Sequence, residues 1–480
     1  MILSHLDISN FRCLEKFSID FFPGFNILIG RNGSGKSTLI HAIQKALSFI
    51  FSSDRSVSEE FLSAGIGNLN IRGFDTADFH FDNKKRSYAL SASIRGVGTF
   101  AKKHLDWTLY KRNAPNASLY PSKYKVAFNT VITRISNGSP YPLLAYYSDS
   151  YPHRNVKQMQ QALDIIKNDI MPRNFGYYQW DDESSCTAIW EKRLSERLAR
   201  MLPLYTPAMR LASEELSLSE QPQTEEVKKR LAEIHESQEA YNTLMRPLYD
   251  ETNFIEEKLK QFIKLLPGTD IEHYNISYLS AASYEDTYRL ILNFTNGKTS
   301  TIADLPAGYR RLVSIVLDLA YRSYILNGHT EPRGIAIIDE IDLHLHPSLE
   351  EGVVNAFREC FRGLQFIVST NSAAVISSLP TGKEAPENRI YVLKDGKELP
   401  EMLDNINGID YNIVLRDFMD SHSRNNDIKA LIDECLTFHS YGMTAEADTV
   451  YEQIVKAVGI NNNVIRELNE KISNYKNVDR

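Results

Sequence analysis

A chain of 480 residues, 42% of them hydrophobic and carrying a formal charge of −7, can bury two or three domain cores. The acidic balance excludes a surface given over wholly to a nucleic-acid clamp, and the small clusters Lys84-Lys85-Arg86, Lys102-Lys103-His104 and Arg310-Arg311 read as solvated faces. No run approaches the roughly 18 uninterrupted apolar residues of a membrane span and no basic-then-apolar leader is found, so a cytoplasmic protein with no membrane contact is expected.

In chain order, Ile2, Ser4, Leu6 and Ile8 alternate on one face and Phe17 to Phe21 repeats the pattern, which predicts two half-buried strands. Phe25 to Ile29 is a short apolar run, a buried strand, and a helix is expected from Lys36 to about Phe51. Tyr88, Leu90, Ala92 and Ile94 alternate again. From about 101 to 270, Tyr- and Pro-rich loops give way to helices, with a polar connector near 213–224. Val227, Leu231 and Ile234 share a helical face over Glu225 to Arg246, acids at its start suit the helix dipole, and Pro247 ends or kinks it. A second helix follows, Glu251 to Leu266, and the pair forms either a truncated coiled-coil arm or a simple helical subdomain. Tyr288 to Phe294 and Thr299 to Ile302 flank an Asn296-Gly297 turn, a hairpin signal. A helix over Gly308 to Leu326, an apolar strand Ile335 to Ile338, a helix Glu350 to Phe361 and a strand Gln365 to Ser369 complete this half. Ile428, Leu431, Ile432, Cys435 and Leu436 form one late helical stripe, and Val450, Ile454, Val455 and Val458 another. The expected organisation is a first lobe 1–100, a mostly helical insertion 101–270, a second lobe 271–385 and a helical region 386–480. Cys13, Cys186, Cys360 and Cys435 show no CxxC pairing and are expected to be ordinary buried or half-buried thiols.

Between the buried strand and the first helix stands Gly30-Arg31-Asn32-Gly33-Ser34-Gly35-Lys36-Ser37, which fits GxxxxGK[ST] in the context that motif requires. Its glycines let backbone N–H groups fold around phosphates; Lys36 is placed to bridge the β- and γ-phosphates and Ser37 to hold Mg²⁺, while Thr38 completes the cofactor-binding set. Asp339 and Glu340 follow the apolar strand directly. Asp339 is the candidate metal carboxylate and Glu340 the general base that polarises an attacking water.

With the run Ile8-Ser-Asn-Phe-Arg12, these motifs and their order over about 275 to 380 resemble the ABC-type ATPases, the group that includes the SMC, RecF and OLD proteins. The resemblance implies an α/β ABC-type P-loop ATPase fold with a helical insertion and a helical C-terminal region, ATP and Mg²⁺ as cofactors, and a dimer. In that dimer the signature, here Leu305-Pro306-Ala307-Gly308-Tyr309-Arg310, closes the partner's site on the γ-phosphate, with Arg310 or Arg311 adding charge. Two positions depart from the group: Pro306 replaces a serine, and Asn371 in Thr370-Asn371-Ser372 replaces a histidine. Both leave binding intact and bear on the rate of hydrolysis, since asparagine hydrogen-bonds without acting as a cation. The run Asp342-Leu-His344-Leu-His346-Pro347 has HxH spacing, but its likeness to the OLD-like dimer surface sets a metal site aside. Asp78-Phe-His80 lies about where that group's Q-loop joins the lobes.

OLD-type nucleases carry a Toprim domain with a DxD pair, and Leu343 to Arg480 contains none, so any cutting is expected from another chain. Gly408-Ile-Asp-Tyr411, Leu415-Arg-Asp-Phe-Met419, Arg424 and the Trp180 to Arg193 segment (WDDESSCTAIWEKR) resemble the PtuA family, the ATPase subunits of Septu anti-phage systems, which also occur with some retrons. This implies an HNH endonuclease (PtuB-like) partner, a homodimer or higher oligomer, nucleic acid met through the complex, and a role in antiviral defence. A RecF- or SMC-like repair or chromosome ATPase is the alternative.

Overall fold

Strands and helices alternate along most of the chain. The computed structural model describes residues 1–52, 69–152, 160–181, 186–222, 224–268, 271–285, 287–383, 385–395, 397–403, 408–417, 426–460 and 462–478. Arg424, Phe418, Met419 and the stretch 182–185 of the Trp180 to Arg193 segment lie outside the described residues. The order is β1 (Ile2–Phe11), β2 (Leu14–Asp20), β3 (Phe25–Gly30), α1 (Lys36–Leu47), β4 (Phe81–Asp82), β5 (Ser87–Tyr88), β6 (Ser91–Phe100), β7 (Lys103–Arg112), α2 (Lys125–Ser136) and β8 (Leu143–Tyr147). Then come α3 (Gln160–Ile165), α4 (Thr187–Ser219), α5 (Glu225–Leu265), α6 (Ile271–Tyr274), β9 (Ile276–Tyr284), β10 (Thr287–Phe294), β11 (Thr299–Ser300), α7 (Ala307–Asn327) and β12 (Gly334–Ile338). The remainder is α8 (Pro347–Cys360), β13 (Leu364–Ser369), α9 (Ala373–Ser378), β14 (Arg389–Leu393), β15 (Glu401–Leu403), α10 (Tyr411–Asp417), α11 (Asn426–Ser440), α12 (Thr444–Val458) and α13 (Asn463–Val478).

The central sheet has the order β15-β14-β3-β13-β12-β8, parallel throughout except for the β14–β15 pair. Its strands β3, β8, β12 and β13 are buried end to end, which is why they appear in the sequence as continuous apolar runs. A four-stranded antiparallel sheet, β2-β1-β6-β7, forms the neighbouring layer. The α/β class expected from the sequence is the class observed.

Several boundaries differ from expectation, each for a physical reason. In β1 the buried set is Leu3, Leu6, Ile8 and Phe11 rather than the even-numbered face, because pairing with β6 shifts register between Leu3 and His5. Tyr88 and Leu90 are exposed, at 46% and 86%: β5 pairs with β4, and the chain starts a new strand only at Ser91. The span 101–270 is not all helical, since β7 completes the antiparallel sheet and β8 pairs with β12. Strands also continue past residue 386, as β14 lies beside β3. Pro247 sits inside α5 rather than ending a helix, and α4 contains Pro203 and Pro207. Buried Ile234 before the proline and buried Leu248, Ile255, Leu259 and Phe262 after it anchor one helix on both sides of the missing N–H, so packing outweighs the loss. Cys13 is exposed, while the other three thiols are buried.

Residues Asp410–Arg480 form a separate unit. Ile432, Cys435, Val450, Ile454, Ile465 and Leu468 make its core, with Ile428, Leu431, Leu436, Val455 and Val458 packed against them. The two expected stripes meet there, and α13 supplies the third side.

Candidate active site

In-register pairing brings Gly30 of β3 beside Leu393 of β14, and Ile338 of β12 beside Val368 of β13 and Tyr147 of β8. All five strands therefore deliver their C-terminal ends to one edge, where ligands bind in open parallel sheets. Gly30, Gly33 and Gly35 have φ of 151°, 87° and 95°, so the loop from Gly30 to Gly35 follows a path that L side chains resist. A Cβ at Gly30 would lie 2.5 Å from the Leu393 carbonyl oxygen and 2.6 Å from Ser34 Oγ. Lys36 opens α1, and its Nζ donates to the carbonyls of Gly30 at 2.5 Å and Arg31 at 3.3 Å. Burial lowers the Lys36 pKa, while Asp339, Glu340 and Asp342 pull it back up, so the lysine and the carboxylates across the sheet edge feel one another. Ser34 Oγ is buried without a partner among the described residues. Arg31, Asn32, Gly33 and Ser37 are exposed at the loop surface, and Thr38 is half-buried behind them. An orphaned hydroxyl, a lysine folded back on carbonyls and free first-turn amides form a donor set that fits a triphosphate.

Asp339 is 8% exposed. Ser369 Oγ donates to its carboxylate and accepts the Glu340 amide at 2.8 Å. The Glu340 backbone is left-handed, φ 52°, a conformation that a non-glycine residue keeps only when held. Burial raises the Glu340 pKa, reinforced by the charges of Asp339, Asp342 and Asp149 and opposed by Arg311. Asp342 accepts Thr370 Oγ1 at 2.6 Å and the Asn371 amide at 3.4 Å, which sets the exposed Asn371 beside the carboxylates.

The signature residues stand elsewhere. Pro306 caps α7, with Ala307 and Gly308 in its first turn. A Cβ at Gly308 would lie 2.6 Å from the His344 carbonyl oxygen, so glycine is required there by close packing within the chain. The helix tip lines a cavity of about 660 Å³ with His273, Tyr274, Lys298, His344 and His346, and none of Gly30 to Thr38 lines it. Arg310 is half-buried, with Nη1 donating to the Ala303 carbonyl at 3.2 Å. Arg311 is fully buried, which corrects the expectation that it adds charge at a partner's phosphate. His346 Nδ1 accepts the Ser348 amide as the α8 cap, and among the described residues no three His, Cys, Asp or Glu side chains form a metal cluster. Asp78, 2% exposed, pairs with Arg12 Nε and Lys45 Nζ at 2.9 Å each, and His80 Nδ1 lies 2.7 Å from the Arg12 carbonyl. That triplet ties the β1–β2 turn to α1.

Residues 1–376 match the family described as AAA ATPase domain. The chain belongs to that family. This ATPase is 22% identical over 428 residues to a retron Ec83 probable ATPase of Escherichia coli, covering 82% of the chain and 72% of that protein. It is 25% identical to a retron Vc95 probable ATPase of Vibrio cholerae, covering 74% and 66%. A Septu protein PtuA of Bacillus mycoides is 30% identical over 102 residues, 21% of the chain and 14% of that protein. The SMC head domain of Pyrococcus furiosus, solved with the C-terminal domain of ScpA, aligns over 84% of the chain and 96% of that structure at a TM-score of 0.41 and 14% identity.

Sequence reasoning missed the loop after β8 and the two hydrogen bonds of Ser369 Oγ, one donated to the Asp339 carboxylate and one accepted from the Glu340 amide. The run Pro142-Leu-Leu-Ala-Tyr-Tyr-Ser-Asp149 carried a usable signal, a five-residue apolar and aromatic strand ending in polar residues. Ser369 was visible only as a strand end.

Proposed function

We propose that this ATPase is the nucleotide-binding subunit of an anti-phage defence assembly, working as a dimer and regulating a separate HNH endonuclease. The observation that carries this reading is the match to two retron ATPases across 82% and 74% of the chain, far beyond the cradle itself; the shorter Septu match supports it.

In this reading Lys36, Ser34 and the amides of Gly30 to Ser37 hold the triphosphate, and Ser37 with Asp339 holds Mg²⁺, which when bound shields phosphate charge. Glu340 takes the proton of the attacking water. The α7 tip, which lines a cavity that includes none of Gly30 to Thr38, serves the cradle of a second copy. Arg310 lies at that tip, and Pro306 and Asn371 suit slow turnover, as a sensor of ATP requires: nucleotide-bound oligomers restrain the nuclease and loss of ATP releases it.

Lys36→Ala is expected to abolish nucleotide binding, while Glu340→Gln preserves it and accumulates a nucleotide-bound dimer, read by mass measurement with and without ATP. Equal loss of affinity in both variants, or monomers throughout, contradicts the assigned roles. Co-expression with an adjacent nuclease gene and an ATP series on the purified pair tests the regulation. Cleavage that rises with ATP contradicts restraint.

A further inference from the structure

We propose that Arg311 is a positioning residue: it holds the Glu340 backbone in its left-handed turn and couples that turn to the tip of α7. Its Nη1 donates to the carbonyls of Ser148 and Asp149 at 3.2 Å each and of Tyr151 at 2.6 Å. Its Nη2 donates to those of Asp339 at 2.8 Å and Glu340 at 3.2 Å. One side chain at 0% exposure thus gathers five backbone oxygens from two loops that follow neighbouring strands, β8 and β12. A buried cation is costly unless its donors are used, and this one commits both terminal nitrogens to loop geometry. Only the planar fork of arginine can span carbonyls in two directions, since a lysine ammonium presents its donors from a single atom.

The Glu340 peptide is held on both sides. Ser369 Oγ accepts its N–H, and Arg311 takes its C=O. Arg311 lies three residues beyond Gly308, about one turn along the same helix, and Gly308 packs on the His344 carbonyl. Displacement of the tip therefore moves the clamp. The coupling between subunits rests on the dimeric reading above, in which the tip engages a partner's nucleotide; the hold on Glu340 within one chain does not. The consequence is that occupancy of one site sets the base of the other.

The test uses the full chain with Arg311→Lys and, as a second release of the same peptide, Ser369→Ala. Three quantities are read: affinity for a fluorescent non-hydrolysable ATP analogue, kcat with its Hill coefficient, and amide exchange at Glu340 and Ile341. Arg311→Lys is expected to keep affinity within about twofold, lower kcat about 10- to 100-fold as small misplacements of a base do, lose cooperativity, and speed exchange at both amides. The double variant is expected to fall short of the product of the single effects. An unchanged kcat in Arg311→Lys, or affinity falling in proportion to kcat, overturns the assignment. A wild type that binds the analogue as a non-cooperative monomer overturns the coupling between subunits, and kcat with exchange still decides the clamp.

Discussion

Glu251 joins α5 to α4, and replacing it by glutamine tests how firmly. Its carboxylate is 2% exposed and takes a two-pronged pair from Arg193, Nε to Oε1 and Nη2 to Oε2, both at 2.6 Å. Arg197 Nε lies 2.9 Å from Oε2, close enough to pair by charge without the alignment of a hydrogen bond. Tyr321 of α7 packs at the same place, where burial and then the Glu251 charge push its phenol pKa well up. Glutamine keeps the shape and removes the charge, leaving buried Arg193 without its carboxylate partner and Arg197 with only the more exposed Asp169 carboxylate, 3.7 Å away. Breaking such a pair costs about 3–5 kcal/mol. The carbonyls of Ile166 at 2.6 Å and Asn168 at 2.9 Å still accept from Arg193, which puts the expectation near the lower end, about 3 kcal/mol. The assay is urea unfolding followed by tryptophan fluorescence. All three tryptophans, Trp107, Trp180 and Trp190, lie in the unit Met1–Ile409, so the signal reports that unit alone, and Trp190 stacks on Tyr321 with ring centroids 4.9 Å apart. A loss below about 1 kcal/mol, the size expected of an exposed pair, would refute this account. The double variant Arg193→Leu/Glu251→Leu should recover at least half of the loss, because it removes the guanidinium whose carboxylate partner is Glu251 and leaves Arg197 beside Asp169.

Two glycines of the cradle should separate strain from collision. Gly33 has φ 87°, and a methyl group there would meet nothing within 4 Å, so Gly33→Ala adds only left-handed strain, about 1–2 kcal/mol, and weakens analogue binding by about tenfold. Gly30→Ala also forces β3 from β14 through the Leu393 carbonyl, and a loss of more than about 100-fold is expected; equal losses would contradict the geometry. Glu191 lines a separate cavity of about 410 Å³ beside α4 and β10, and burial raises its pKa from 4.5 to about 7. The folded state thus binds this proton more tightly than the unfolded chain, a contribution fully present below pH 4.5 and lost as pH rises through about 7. Glu191→Gln should therefore raise unfolding stability at pH 8 by roughly 1–2 kcal/mol, discounted for partial exposure, and leave it unchanged at pH 4. A thermal melt of both proteins at the two pH values decides it.

Much of the catalytic edge is legible because its parts are local. The spacing from Gly30 to Ser37 and the adjacency of Asp339 and Glu340 to a buried strand are properties of short segments, and the structure places them at one sheet edge. Helix α5 is half legible: periodicity marks Val227, Leu231 and Ile234, but Pro247 reads as a local breaker when its neighbours on both sides are fixed by distant packing. Strands β7 and β8 are masked by their surroundings, since Leu105, Trp107 and Leu109 alternate inside a stretch dominated by tyrosine and proline.

Arg311 shows the deeper limit. All of its hydrogen bonds are to backbone carbonyls, and every residue type has a carbonyl, so nothing in the sequence marks the acceptors. They also come from loops far apart in the chain, joined only because β8 pairs with β12. In the sequence Arg310 and Arg311 are interchangeable. Helix phase separates them, turning one toward the Ala303 carbonyl and the other wholly inward. A basic pair at a helix start thus divides into one half-buried residue bonded to a nearby carbonyl and one that binds the loops after β8 and β12; in the role proposed above, exchanging Arg310 for lysine should be tolerated where exchanging Arg311 is not.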